Sequence, residues 1–158
     1  MRDLIEELRP VELELAAEFG EFALFALFET EDSLFDQYEL YVAAPWLNTD
    51  YALRVRISEV IRARLSLEDF FRVQRIIAPA VTHPDFSKEL RYYPTAGCVV
   101  EIYNRQLFEK WVARGCIITC RPDLMPVAGS AESEAEAPRR VRLPRSAGSA
   151  QPSALPRR

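Results

Sequence analysis

The spacing of apolar and polar residues along the chain predicts its helices. In Arg2–Phe19, leucine and valine recur every three or four residues and glutamates occupy the other faces, which indicates an amphipathic helix. Pro10 lies inside this pattern and leaves open whether the segment is one helix or two short ones. A second apolar stripe follows a polar cap at Thr49 or Asp50 and predicts a helix that runs to about Leu65.

Short apolar runs predict strands between these helices. Glu21–Phe28 is rich in aromatic residues and too short for a lone helix, so we expect Phe22–Phe28 to be an interior strand buried on both faces. The short polar link to the next run favours an antiparallel pair. The other predicted strands are Tyr38–Ala44, Val73–Ala78, Gly97–Tyr103 and Gly115–Cys120, and further helices are predicted over Asp85–Arg91 and Asn104–Ala113.

The element order is therefore α-β-β-α-β-α-β-α-β. It predicts an α/β (α+β) fold with a single mixed sheet of about five strands and flanking helices. An initial hairpin should be followed by crossovers of the type that build parallel pairs.

Composition divides the chain near residue 121. Residues 1–121 carry the apolar periodicity of one compact domain. Residues 122–158 are rich in proline, alanine, serine and arginine, and we expect them to form a disordered tail. Within that tail, Ala131–Ala137 alternates glutamate with small residues.

The formal net charge of −4 conceals two halves of opposite sign. Residues 1–50 contain 13 acidic and 2 basic side chains, whereas residues 51–121 contain 7 acidic and 12 basic ones. We expect the halves to balance each other within the fold; the alternative is a basic patch for a polyanion. The arginines of the central region spread around a helix instead of forming one stripe, so nucleic-acid binding is the weakest hypothesis. They are Arg54, Arg56, Arg62, Arg64, Arg72 and Arg75.

Residue usage also bears on cellular context. Arginine outnumbers lysine 18 to 2, as in proteins from GC-rich bacterial genes. The first residues are acidic and helical, without the apolar stretch of a secretion signal, and no run approaches the length of a membrane span. These features predict a cytoplasmic bacterial protein with no membrane segment and with reduced thiols.

The sequence shows no pattern for known cofactor chemistry. Its five glycines form no phosphate-binding loop, and His83 is its single histidine. Cys116 and Cys120 are four residues apart on a predicted strand, about 13 Å when extended, which is too far to bind one metal ion. We therefore predict no catalytic residue, no cofactor and no metal centre, and we expect Cys98, Cys116 and Cys120 to be unreactive buried thiols.

One candidate site lies at the carboxyl ends of the strands, where α/β sheets bind ligands. If strands two to five run parallel, those ends bring together Trp46, Asn48, His83, Asn104 and Arg121. Such a set would form a polar crevice for a small molecule. The alternative is that Trp46 packs a helix against the sheet.

A second candidate site is the acidic cluster between the first two strands. Asp32, Asp36 and Glu39 supply carboxylate oxygens, which hard metal ions prefer.

The stretch from Phe25 to Val42 is a strand, a polar loop and a strand bearing Asp36 and Glu39. In layout it resembles the metal-binding hairpin of nucleotidyltransferase-fold proteins. That family has a Gly-Ser pair after the first strand and two carboxylates separated by one residue on the second. Here Ala26-Leu27 or Glu29-Thr30 replaces the pair, and Gln37-Tyr38-Glu39-Leu40 replaces the carboxylates. The resemblance therefore implies at most a degenerate relative.

Three functional hypotheses follow. The first is a non-enzymatic accessory or protein-interaction domain with a protein partner or a second copy of itself, given the lack of catalytic spacing. The second is a degenerate nucleotidyltransferase-like domain, or another domain that handles a metal or a nucleotide. The third is weak nucleic-acid binding.

Overall fold

The structure is a computed structural model that describes residues 1–48, 50–95 and 98–125. The helices are α1 (Arg2–Phe19), α2 (Tyr51–Arg64), α3 (Leu67–Arg72) and α4 (Pro84–Lys88). The strands are β1 (Leu24–Thr30), β2 (Tyr38–Ala43), β3 (Val73–Ile77), β4 (Val100–Leu107) and β5 (Lys110–Cys120). Short 3₁₀ turns occupy Pro45–Leu47, Leu90–Tyr92 and Pro122–Leu124.

The five strands form one mixed sheet in the order β3-β2-β1-β5-β4. β1 is antiparallel to both of its neighbours, β4 and β5 are antiparallel, and β2 and β3 are parallel. The prediction of a single mixed five-stranded sheet with flanking helices is confirmed. β3 and β4 are the two edge strands.

The central strand β1 is buried on both faces, as predicted. Phe25 and Leu27 pack into the core on one face, whereas Ala26 and Phe28 pack into the core on the other, and all four are fully buried. A strand that alternates between two cores has no polar face, which explains its nearly continuous apolar sequence.

Helices α1, α2 and α3 cover the first face. α1 is one continuous helix with Pro10 inside it, and not two short helices. Asp50 caps α2, because its carboxylate accepts a hydrogen bond from the backbone N–H of Leu53 at 3.1 Å. α3 was not predicted from the sequence. Ser66 caps it, because its hydroxyl accepts a hydrogen bond from the N–H of Asp69 at 3.1 Å.

The second face is covered by α4, the turn Leu90–Tyr92 and the turn between β4 and β5. Phe86 of α4 and Leu90 are buried there against the sheet. Phe108 contributes its ring from the turn, stacked on Tyr41 with 5.0 Å between ring centres.

The predicted helix over Asn104–Ala113 is wrong, because these residues form the end of β4, a tight turn and the start of β5. Phe108 and Glu109 both adopt left-handed backbone angles, φ 52° and 63°, as a two-residue hairpin turn of the primed type requires. Glycine or asparagine usually fills such positions, and neither is present here. The contacts of Phe108 with Tyr41 and Phe86 hold the turn instead.

The hairpin also corrects the expected strand directions. β2, β3 and β5 run the same way, but β4 runs opposite to them, so strands two to five are not all parallel. β4 begins at Val100 and leaves Cys98 outside the strand.

Two predictions concern residues beyond those described. Most of the predicted tail, residues 126–158, lies outside the described residues, and so does the alternative cap Thr49. Among the helices that the structure describes, none combines the length and apolar character needed to cross a membrane.

Candidate functional site

Trp46 of the predicted crevice packs between the sheet and α1. Its indole N–H donates to the carbonyl of Glu21 at 3.1 Å, and its ring lies 5.3 Å from the Phe22 ring and 6.0 Å from the Phe19 ring. Gly20 passes directly beneath it with φ 114°, where a Cβ atom would lie 3.1 Å from the indole nitrogen. Trp46 therefore joins the end of α1 to the strands, which matches the packing alternative.

Asn48 and Arg121 lie at the same end of the strands as Trp46, and the side chain of each bonds to nearby residues. The Asn48 side-chain oxygen accepts from the N–H of Val81 at 3.3 Å. Arg121 forms ion pairs with Glu21 and Asp123, at 2.8 and 2.9 Å. These contacts tie loops together at the ends of β2 and β5.

His83 and Asn104 lie elsewhere. His83 caps α4, because its Nδ1 accepts from the N–H of Asp85 at 3.3 Å, and its ring packs 5.1 Å from that of Phe108. Asn104 is exposed on the edge strand β4 with a left-handed backbone, φ 52°. The structure thus groups Trp46, Asn48 and Arg121 near the carboxyl ends of β2 and β5, apart from His83 and Asn104.

The acidic cluster divides in a similar way. Asp32 and Glu39 meet around Lys110, whose ammonium lies 2.9 Å from a carboxylate oxygen of each. Asp36 is directed elsewhere, where it accepts from the hydroxyl of Tyr38 at 2.9 Å and pairs with Arg72 at 3.1 Å.

Glu39 is a fully buried carboxylate that is surrounded by donors. Arg75 of the neighbouring strand and Lys110 both donate to it, and the hydroxyl of Tyr41 donates at 3.0 Å. Burial raises the pKa of Tyr41 and the adjacent Glu39 adds to the effect, so the hydroxyl stays protonated and available as a donor.

Sequence reasoning missed Lys110 because it placed that residue in the wrong secondary structure. Burial lowers the pKa of Lys110, but hydrogen bonds with Asp32 and Glu39 outweigh that effect and raise it overall. The hydrogen bond from Lys110 likewise holds the pKa of Asp32 below its usual range. Within the described residues, no three histidine, cysteine or acidic side chains are grouped as metal ligands. This cluster is built as an internal ion network.

The thiols fall into two classes. Cys116 and Cys120 are buried, and burial raises the pKa of both, that of Cys120 to about 12. Cys98 is exposed, contrary to the expectation of three buried thiols. β4 begins at Val100, so Cys98 lies outside the strand in which it was predicted.

Basic side chains of the central region pair with the acidic first half. Arg56 contacts Glu18 at 2.9 Å, and Arg64 pairs with Glu14. Arg54 and Arg62 form no ion pair among the described residues, and Arg54 donates to the backbone carbonyls of residues 47 and 48. Much of the charge asymmetry is therefore neutralised inside the fold.

A further surface feature of the described residues lies along the edge strand β3. Two adjoining depressions of about 410 and 250 Å³ share Arg62 and Ile76 in their walls. One wall is β3 and the other is α2, with α3 closing one end. We call this feature the β3 groove.

Large apolar side chains stand exposed around the β3 groove. Tyr51 and Val55 of α2 are 79% and 40% exposed, and Phe71 of α3 is 64% exposed. Because each is a wall residue of one depression, they form an apolar rim beside an edge strand.

The β3 groove also contains polar groups with unmet bonding capacity. Arg62 is exposed and lies over the Phe70 ring, with its guanidinium carbon 5.9 Å from the ring centre; among the described residues it forms no ion pair. The side-chain oxygen of Gln37 is buried in the wall without a hydrogen-bond partner, while its amide donates to the Phe71 carbonyl at 3.3 Å. Among the described residues that line the groove, the acidic side chain is Glu59 and the arginines are Arg54, Arg62 and Arg75.

No protein-family model, curated protein or solved structure matches this chain.

The opposite edge, β4, is less suited to strand pairing. Its backbone is interrupted by the left-handed Asn104, and its exposed residues include the charged Glu101 and Arg105. Charges and irregular backbone are the usual means by which edge strands avoid pairing with other chains. β3 has neither a left-handed residue nor an uncompensated charge, since its one charged residue, Arg75, is bonded to Glu39.

Proposed function

We propose that this domain is a non-enzymatic protein-interaction module, and that it binds an extended segment of a partner protein as an added strand beside β3. In this mode the main chain of the partner pairs with the free edge of the sheet, and pockets beside it select the side chains. The observation that carries the proposal is the open edge of β3 next to an apolar groove.

Charge complementarity indicates the chemistry of the partner segment. Arg62 offers a guanidinium that no carboxylate of the described residues neutralises, and the lining contains more arginines than acids. The segment that fits is extended, with acidic side chains toward α2 and apolar ones against the rim.

The hypothesis of a metal- or nucleotide-handling domain has less support. Glu39 accepts from three donors, and Asp32 is paired with Lys110, so these carboxylates are already neutralised by cations from the chain itself. A metal ion would have to displace Lys110 and Arg75 to reach them.

The test is a titration of the full chain with a fluorescent seven-residue peptide of alternating valine and glutamate. We expect saturable binding, and backbone-amide NMR should show the shifts at β3 (Val73–Ile77), not at β4. A peptide of alternating valine and lysine is the control for charge. If the shifts map to β4, or if the lysine peptide binds as tightly as the acidic one, the proposal is wrong.

Two matched variants locate the contact. Arg62→Glu removes an exposed attraction worth up to about 1 kcal/mol, so affinity should fall about fivefold. Arg105→Glu makes the same change on β4 and should leave affinity unchanged.

A further inference from the structure

Ala131–Ala137 is a segment of this chain with the features that the β3 groove selects. It places glutamate at every second position, at 132, 134 and 136, with alanine or serine between. Side chains two residues apart lie on the same side of an extended chain. The three carboxylates would therefore form one acidic edge, and the other edge would be small enough to lie close to a strand.

The distance allows this segment to reach β3. β5 and β3 run in the same direction, so their carboxyl ends lie at the same end of the sheet, with β1 and β2 between them. Adjacent strands are about 4.8 Å apart, so the position beside β3 lies four spacings from β5, roughly 19 Å. The six Cα–Cα steps from Met125 to Ala131 span up to about 21 Å when extended, and a segment arriving from that end would run antiparallel to β3.

We propose that Ala131–Ala137 occupies the β3 groove of its own chain, with its glutamates facing Arg62, and so competes with the partner segment. This inference rests on the proposed function and adds its regulation, because a partner must displace the segment before it can bind.

The experiment compares the full chain with a variant carrying Glu132→Gln, Glu134→Gln and Glu136→Gln. Hydrogen exchange at Val73–Ile77 should be at least tenfold faster in the variant, and its affinity for the valine–glutamate peptide should be about tenfold higher. A control variant keeps the same seven residues but makes the three glutamates consecutive. It should behave like the glutamine variant, because it keeps the charge and loses the alternation.

A charge exchange tests the contact with Arg62 directly. Arg62→Glu alone should speed exchange at β3, and arginine at positions 132, 134 and 136 in the same chain should restore the protection. Failure of this rescue would overturn the proposed pairing.

The outcomes separate the two proposals. If the peptide binds neither the parent chain nor the glutamine variant, the proposed function itself fails. If it binds both equally, the interaction surface stands and self-occupancy is overturned. If protection of β3 rises with protein concentration and sedimentation shows a dimer, a second copy fills the groove, and self-occupancy is again overturned.

Discussion

Replacing Glu39 by glutamine tests how far the buried ion network stabilises the sheet. The substitution keeps the volume of the side chain and removes its charge, so Arg75 and Lys110 lose their buried carboxylate and retain only the single amide oxygen as an acceptor. Breaking a fully buried ion pair by removing one partner costs about 3–5 kcal/mol, because an uncompensated charge is left in the interior.

The expected loss here is smaller than that range. The side chains of Lys110 and Arg75 are 23% and 48% exposed, so water still reaches both cations, and each also faces Asp32. Each lost hydrogen bond to a charged group is worth about 1.5–3 kcal/mol before this compensation, so we expect a net loss of about 2 kcal/mol. For a chain of this length that corresponds to a fall in Tm of about 4–8 °C.

Urea unfolding followed by tryptophan fluorescence measures the change. Glu31→Gln, an exposed substitution in the same region, is the control and should stay within about 0.5 kcal/mol of the parent. In a double-mutant cycle with Lys110→Met, the Glu39 and Lys110 substitutions should couple by at least about 0.5 kcal/mol. A loss of stability for Glu39→Gln no larger than that of the control, or strictly additive effects in the cycle, would show that the buried ion network does not stabilise the fold.

Three further predictions follow from the core and the thiols. Gly115→Ala should destabilise the chain by about 1–3 kcal/mol in urea unfolding, because the added methyl group would lie 2.5 Å from the Phe28 ring; wild-type stability would contradict this packing. Burial raises the pKa of Glu12 in the native state, so the native state binds its proton more tightly than the unfolded state and stability falls as pH rises through that window. Glu12→Gln should therefore be more stable than the parent above the window, with the difference vanishing at lower pH in parallel thermal melts. Iodoacetamide should modify the exposed Cys98 in the native protein and the buried Cys116 only after unfolding, as read by mass spectrometry; equal rates would contradict the burial of Cys116.

The parts of the fold that were predictable are those encoded locally. An unbroken apolar run predicted the central strand β1, and Asp50 before an apolar stripe predicted the start of α2. In both cases, neighbouring residues carry the signal and tertiary packing agrees with it.

The hairpin at Phe108 was not predictable in this way. Its turn lacks glycine and asparagine, and its left-handed backbone is stabilised by rings from β2 and α4, more than 20 residues away along the chain. Locally, the same residues fit a helical pattern, so tertiary contacts outweigh local preference.

The same limitation affected the candidate sites. The acidic residues of the first hairpin were visible, but the partner that joins Asp32 to Glu39 is Lys110, 71 residues beyond Glu39. The β3 groove depends on which strand lies at the edge of the sheet, and strand order is a non-local property that periodicity does not contain.

The left-handed Asn104 on β4 has a consequence for assembly. A sheet whose two borders both accepted strands would let copies join end to end without limit and grow into a fibre. Among the described residues the β4 border is interrupted and the β3 border is not, so strand addition has a single position on each molecule. Any assembly built through that border is finite, and one partner completes it.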